Sequence, residues 1–196
     1  MLKEDGKMNI GVLSFQGGVA EHLTQIKSLG HKGIEVKKEA DLEIIDAIIL
    51  PGGESTTIGK LLKITGLMEP LRKKIQEGMP VWGTCAGMIL LAKNIENEYT
   101  NHLGVMNIKV RRNAFGTQID SFKTKKIIHE VSNKEIELVF IRAPYVLEIE
   151  DNVDVLCKVN DNIVAVRQDN ILATSFHPEL TDDLSFLNYF IEKVAG

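Results

Sequence analysis

Cysteine is scarce in this chain: Cys85 and Cys157 are the 2 cysteines among 196 residues, with no C-x-x-C pair and no histidine cluster beside either. That excludes a disulfide framework and a thiolate zinc site, so each cysteine has to be read on its own. Long apolar runs are missing as well. No stretch approaches the ~20 residues of a membrane span, and the N-terminal MLKEDGKMNIGVL lacks the apolar core and small-residue cleavage site of a secretory signal. A cytoplasmic protein, with no membrane partner, is the expectation. Nor is there a surplus of positive charge. Lysine and arginine number 23 against 27 aspartates and glutamates, leaving a net charge of −4. The basic clusters at Arg72, Lys73, Lys74 and at Lys123, Lys125, Lys126 are short, so nucleic acid is not an expected partner. Internal repeats, low-complexity tracts and Pro/Ser-rich linkers are absent, and no domain boundary is marked. Residues 1–7 are polar and precede a second methionine. They read as a disordered lead-in or an alternative start to a single domain over 8–196.

What is present in the first half is alternation. NIGVLSFQ (9–16) reads as a buried strand, and VAEHLTQIKSLG (19–30) as a helix with Val19, Leu23, Ile26 and Leu29 on one face and Gly30 at its end. GIEVKK is a second short strand and DAIILPGG (46–53) a third, running into a Pro-Gly-Gly turn. Helical spacing follows in two pieces, broken near Gly66 and Pro70, then the strand PVWG and a helix over 86–93. Strand and helix alternating at this spacing imply right-handed crossovers and a parallel sheet covered on both faces.

The second half carries closely spaced strands at GVMNIKVRR, ELVFIRAPYVLEI, VDVLCKVN, IVAVRQ and ILATSFHP, with a hairpin turn at 160–162. A last helix over about 182–194 is expected, with Thr181 as N-cap and Asp182 and Asp183 complementing its positive end. The sum is an α/β fold with a mixed central sheet. In such sheets ligands bind at the carboxyl ends of the strands, where FQGG, PGGES and GTCAG all fall.

Gly83-Thr84-Cys85-Ala86-Gly87 fits the G-x-S-x-G nucleophile elbow with sulfur in place of oxygen. A nucleophile on so sharp a turn needs small neighbours, and a following helix favours the thiolate and offers the N–H of Ala86 to an oxyanion. The competing reading is a buried structural cysteine with glycines that only make a turn. Cys157 has that character: in VDVLCKV it shares strand parity with Val153, Val155 and Val159 and reads as core. A thiol nucleophile needs a base. His22, His31, His102 and His129 read as solvated or locally bonded. His177 is different, because it ends a hydrophobic strand and Pro178 holds the chain while Glu179 projects beside it. Glu179 can then orient one imidazole nitrogen and leave the other for Cys85. A His-Pro turn with a surface glutamate is the alternative. The PGGES loop has no lysine and no P-loop pattern, and an oxyanion donor from Gly53, opposite Ala86, suits it better than a phosphate.

Together these residues resemble the class I, triad-type glutamine amidotransferases: a G-x-C-x-G elbow, a PGG loop and H-P-E near the C-terminus, in that order. The strings GVLSFQGGVAEH, PGGESTT, GTCAGMILLA, RRNAFGTQIDSF, FIRAP and SFHPELT are similar to the branch of that class serving pyridoxal 5′-phosphate synthesis. The resemblance implies a single-domain, three-layer, flavodoxin-like fold, with Cys85 as nucleophile, His177 as base and Glu179 as its partner. It implies an oxyanion hole from Gly53 and Ala86, and L-glutamine held near Gly52, Gly53, Glu54, Arg112, Ile141 and Arg142. Arg111 and Arg112 point to opposite faces of a strand, so one of them reaches the pocket, and the match to RRNAFG selects Arg112. No metal or organic cofactor is implied. The implied partner is a (β/α)8-barrel synthase subunit that consumes the ammonia. The rival readings are an amidotransferase subunit for another synthase, a cysteine hydrolase on a similar sheet, and a non-catalytic glutamine-binding regulator.

Overall fold

Two apolar residue sets alternate along the central strands, and that alternation fixes the layers. In the computed structural model, which describes residues 6–113 and 121–196, strand β3 (Ala47–Leu50) sends Ala47 and Ile49 into one cluster and Ile48 and Leu50 into the other. The same period-2 switching lets a strand bury both faces. One cluster packs beneath helices α2 (Ser55–Ile64), α3 (Met68–Gln76) and α4 (Ala86–Leu91). The other lies under α1 (Val19–Ser28) and the C-terminal α5 (Ser185–Tyr189), with Trp82, Phe176, Phe186 and Phe190 at its centre.

Around β3 the strands β1 (Asn9–Leu13), β2 (Lys32–Val36), β4 (Val81–Thr84) and β12 (Ile171–Thr174) run parallel in the order β2-β1-β3-β4-β12. Beyond β12 the sheet becomes mixed: β11 (Asn162–Gln168), β9 (Tyr145–Ile149) and β6 (Met106–Arg111) add antiparallel, and β5 (Ala92–Ile95) closes the edge parallel to β6. Strand β10 (Asp154–Val159) pairs off the path with β11, through a two-residue turn at Asn160 and Asp161 with φ of 49° and 64°. Two consecutive positive-φ residues match the twist of a tight hairpin. The α/β class and the mixed sheet expected from the sequence are what the chain adopts.

Several boundaries differ from the sequence expectation. The first strand stops at Leu13, and the helix expected over 86–93 ends at Leu91, where the chain turns directly into β5. The break between α2 and α3 lies at Gly66, at φ 74°, and Pro70 instead sits inside the first turn of α3, where its missing N–H costs nothing. A separate antiparallel ribbon, β7 (Ser121–Ile128) with β8 (Ser132–Ile141), was not expected over its first arm. ELVFIRAPYVLEI is two strands rather than one, broken where Arg142 takes φ 42°. The last helix begins at Ser185 and winds into a π-turn over 190–194. Asp183 Oδ1, not Thr181, accepts the Ser185 N–H at 2.7 Å, while the Thr181 hydroxyl folds back to the Pro178 carbonyl at 3.0 Å. Cys157 is buried as expected, but a bulge between Val155 and Cys157 breaks the parity. Val153 and Val155 pack in one cluster, Cys157 and Val159 in the other.

Candidate functional site

The carboxyl ends of the parallel strands converge on one pocket. After β4 the chain reverses through Cys85 into α4, with Cys85 at φ 49° and ψ −105°. A side chain rarely adopts that conformation unless the surroundings impose it, and here two glycines do. A Cβ on Gly83 would lie 2.5 Å from the backbone of Gly87, and one on Gly87 would lie 2.1 Å from the Leu50 carbonyl oxygen. The turn therefore closes directly against the sheet. The Cys85 N–H donates to the Thr174 carbonyl at 2.8 Å, tying the elbow to β12, and Cys85 itself is 7 % exposed.

From the end of β12 comes His177, whose N–H donates to the Val139 carbonyl of β8 at 2.8 Å. The β7–β8 ribbon thus anchors the histidine from the far side. His177 Nδ1 lies 2.8 Å from Glu179 Oε1, across Pro178. Burial works against charge on this ring. The hydrogen bonds and fields of Cys85 and Glu179 outweigh it and push the His177 pKa up to about 10. For Glu179, burial favours the neutral acid, yet the hydrogen bond from His177 and the charge of that ring hold the carboxyl below its ordinary range. Gly52 makes room for this pair, since a Cβ there would lie 2.5 Å from His177 Cε1 and 3.6 Å from Cys85 Cβ. Cys157 lies on a strand of the other half of the sheet, and burial pushes its thiol up.

Cys85, Ala86, His177, Gly53, Glu54, Arg112, Ile141 and Arg142 line one cavity of about 390 Å³, within the range of small-molecule sites. Gly52 and Glu179 stand behind that lining. Gly53 takes φ 133°, a region for glycine alone. Arg112 lines the cavity while its Nη1 pairs with Glu98 at 2.8 Å and its Nη2 donates to the Thr56 hydroxyl at 3.1 Å. Arg111 turns away into a pairing with Glu96 and the Tyr145 hydroxyl. The Ile141 carbonyl is 3.9 Å from Cys85 Sγ. Part of RRNAFGTQIDSF, residues 114–120, lies outside the described residues.

Gln16, Gly17, Ser55, Ile89 and Asn113 also line the cavity and were not singled out from the sequence. The FQGG string after β1 held the signal for the first two: Gln16 Oε1 accepts the Glu54 N–H at 3.0 Å and so fixes the PGGES loop. His22, read from the sequence as solvated or locally bonded, is instead 1 % exposed, with Nε2 3.6 Å from Glu179 Oε2.

A family model described as the SNO glutamine amidotransferase family matches residues 12–196. The chain is 69 % identical over 186 residues to "Pyridoxal 5′-phosphate synthase subunit PdxT" of Clostridium beijerinckii, covering 95 % of this chain and 98 % of the relative. It is 57 % identical over 185 residues to the protein of the same name from Clostridium acetobutylicum, covering 94 % and 100 %. A solved structure titled "Crystal structure of glutamine amidotransferase" superposes with a TM-score of 0.90 at 44 % identity, over 95 % of this chain and 98 % of that one.

Proposed function

The chain belongs to the SNO glutamine amidotransferase family, and on that premise we propose that it is the glutaminase subunit of a pyridoxal 5′-phosphate synthase. It hydrolyses L-glutamine to glutamate and ammonia and passes the ammonia to a (β/α)8-barrel synthase subunit. The observation that carries this reading is the convergence of Cys85, on a strained elbow, with the His177–Glu179 pair at 2.8 Å on one pocket.

His177 takes the proton of the Cys85 thiol, and Cys85 and Glu179, which push the His177 pKa up to about 10, favour the protonated ring that results. The thiolate sulfur bonds to the side-chain amide carbon of glutamine, and the amide oxygen takes the negative charge. The N–H groups of Gly53 and Ala86 stabilise that oxyanion. His177 gives its proton to the nitrogen as the C–N bond breaks, and ammonia leaves. Water then attacks the thioester, His177 takes its proton, and glutamate departs as the thiolate is restored. Arg112 suits the α-carboxylate of the substrate and Glu54 its α-ammonium. Glu179 keeps the His177 ring in the tautomer and orientation these transfers need.

Ammonia released to water is lost, so a partner that consumes it gives the reaction its use. Docking of that partner reorients the Gly52–Gly53 peptide so that the Gly53 N–H faces the pocket, a change a Gly-Gly bond accepts easily. The test is ammonia release from glutamine with and without the synthase subunit. Turnover that rises on docking and vanishes in Cys85→Ala supports the reading, and equal turnover with and without the partner contradicts the docking step.

A further inference from the structure

Helix α1 begins at the N-cap Gly18 and presents Gly18, His22 and Gln25, at i, i+4 and i+7, to the turn that carries Glu179. Residues so spaced share one helical face. Each has a distinct relation to that turn. A Cβ on Gly18 would lie 2.7 Å from Glu179 Cγ, so only glycine lets the helix come this near. Gln25 Nε2 donates to the Pro178 carbonyl at 3.2 Å and the Thr181 carbonyl at 2.9 Å, clamping both sides of the glutamate. Between them His22 Nε2 stands 3.6 Å from Glu179 Oε2, with side-chain exposures of 0 % and 1 %.

The polar atoms at this contact are unsatisfied elsewhere. Glu179 Oε1 is taken by His177, whereas among the described residues Oε2 and both ring nitrogens of His22 meet no hydrogen-bond partner. A buried carboxylate oxygen without a donor is costly, and among the described side chains His22 faces it, beside the backbone N–H of Glu179 itself, which also helps hold the carboxyl down. The separation exceeds a normal hydrogen bond by roughly half an ångström, and catalytic hydrogen bonds are commonly long before substrate binds and tighten afterwards. Burial lowers the His22 pKa, with Glu179 and Glu21 opposing and His177 adding to the effect, so the ring stays neutral. Its edge rests on Trp82, with centroids 6.1 Å apart.

We propose that His22 is a positioning residue for the glutaminase reaction. Its neutral Nε2–H holds Glu179 Oε2, and through Glu179 it fixes the His177 ring toward Cys85. This rests on the function proposed above. Without that donor the carboxylate can turn about its own axis, and the ring that must deliver a proton to the leaving nitrogen loses its registration. A ring that only filled space would leave these properties untouched.

The test uses the full chain with its synthase subunit and two variants: His22→Phe, which keeps an aromatic ring against Trp82 without a donor, and His22→Gln, which keeps an N–H at similar reach. The expected result for His22→Phe is a fall of about ten-fold in kcat with KM within about two-fold, the size of one lost hydrogen bond to a charged group. His22→Gln should retain most of the activity. An unchanged kcat in His22→Phe, or equal losses in both variants, overturns the inference. A measurement on the unmodified chain covers the case in which a variant fails to fold: ¹⁵N shifts should show the Nε2–H tautomer of His22, and the Nδ1–H tautomer overturns the inference. An inactive wild-type complex would count against the glutaminase reading, while the tautomer would still decide the His22–Glu179 contact.

Discussion

Cys85 at φ 49° and ψ −105° carries a conformational cost that its environment enforces, of about 1–3 kcal/mol. Cys85→Ala should therefore abolish ammonia release without relieving that strain. Cys85→Gly should be equally inactive yet more stable to urea than Cys85→Ala, by about 1 kcal/mol. Equal stabilities would mean that the elbow is not strained. His177 gives a pH signature. An imidazole with its folded pKa raised to about 10 keeps a proton that the unfolded chain, at an ordinary value near 6.5, releases earlier. Its stabilising contribution is full below about pH 6.5 and is lost as pH rises through about 10. Urea midpoints should accordingly fall more between pH 7 and 10 in the wild type than in His177→Asn. The two arginines separate by kinetics: Arg112→Ala should raise KM about ten-fold or more, as expected for a lost charged contact, whereas Arg111→Ala, whose partners Glu96 and Tyr145 lie off the pocket, should leave KM nearly unchanged. At this scale the sequence was most legible where motifs support one another. The G-x-C-x-G elbow and the H-P-E string, each ambiguous alone, point together to Cys85, His177 and Glu179 as candidates, and the fold brings Cys85 and His177 to one pocket. His22 was not legible in this way, because its meaning depends on Glu179, which is 157 positions away in the chain and 3.6 Å away in space.

The elbow is an element whose fit depends on two missing Cβ atoms. Gly87→Ala would press a methyl against the Leu50 carbonyl at 2.1 Å, where the obstacle is backbone and cannot swing aside. Unfolding should show a loss of about 3 kcal/mol, at the upper end of overpacking costs. Gly66→Ala is the control: Gly66 has φ 74° with nothing within 4 Å, so only the left-handed backbone penalty applies, about 1–2 kcal/mol. A smaller loss for Gly87→Ala than for Gly66→Ala would mean that the elbow is not packed as described. The parallel strands and their helices could be read in advance, because β-branched runs and 3.6-residue spacing alternate cleanly there. The β7 arm could not, since its exposed residues alternate with half-buried ones in a lysine-rich string. The bulge at Cys157 was equally hidden: one added residue in a strand leaves composition unchanged but reverses which face the side chains meet.

At the scale of the molecule, one arrangement explains where the chemistry sits. Strands β1, β3, β4 and β12 run parallel and release FQGG, PGGES, the Cys85 elbow and His177 at the same edge. The β7–β8 ribbon then reaches over to hold His177 through Val139. Chain order along the sequence does not state that β12, the last strand, inserts beside β4, yet this pairing alone brings residue 177 to residue 85. The candidate residues lie far apart in the chain, and the sheet order brings them to one edge. The most direct measurement is ammonia release from L-glutamine by the purified chain, alone and with a pyridoxal 5′-phosphate synthase subunit, with Cys85→Ala run in parallel. Turnover that the partner stimulates and that the Cys85→Ala chain lacks, while still docking, is the expected result. No glutamine hydrolysis in the presence of the partner, or hydrolysis that survives Cys85→Ala, would contradict it.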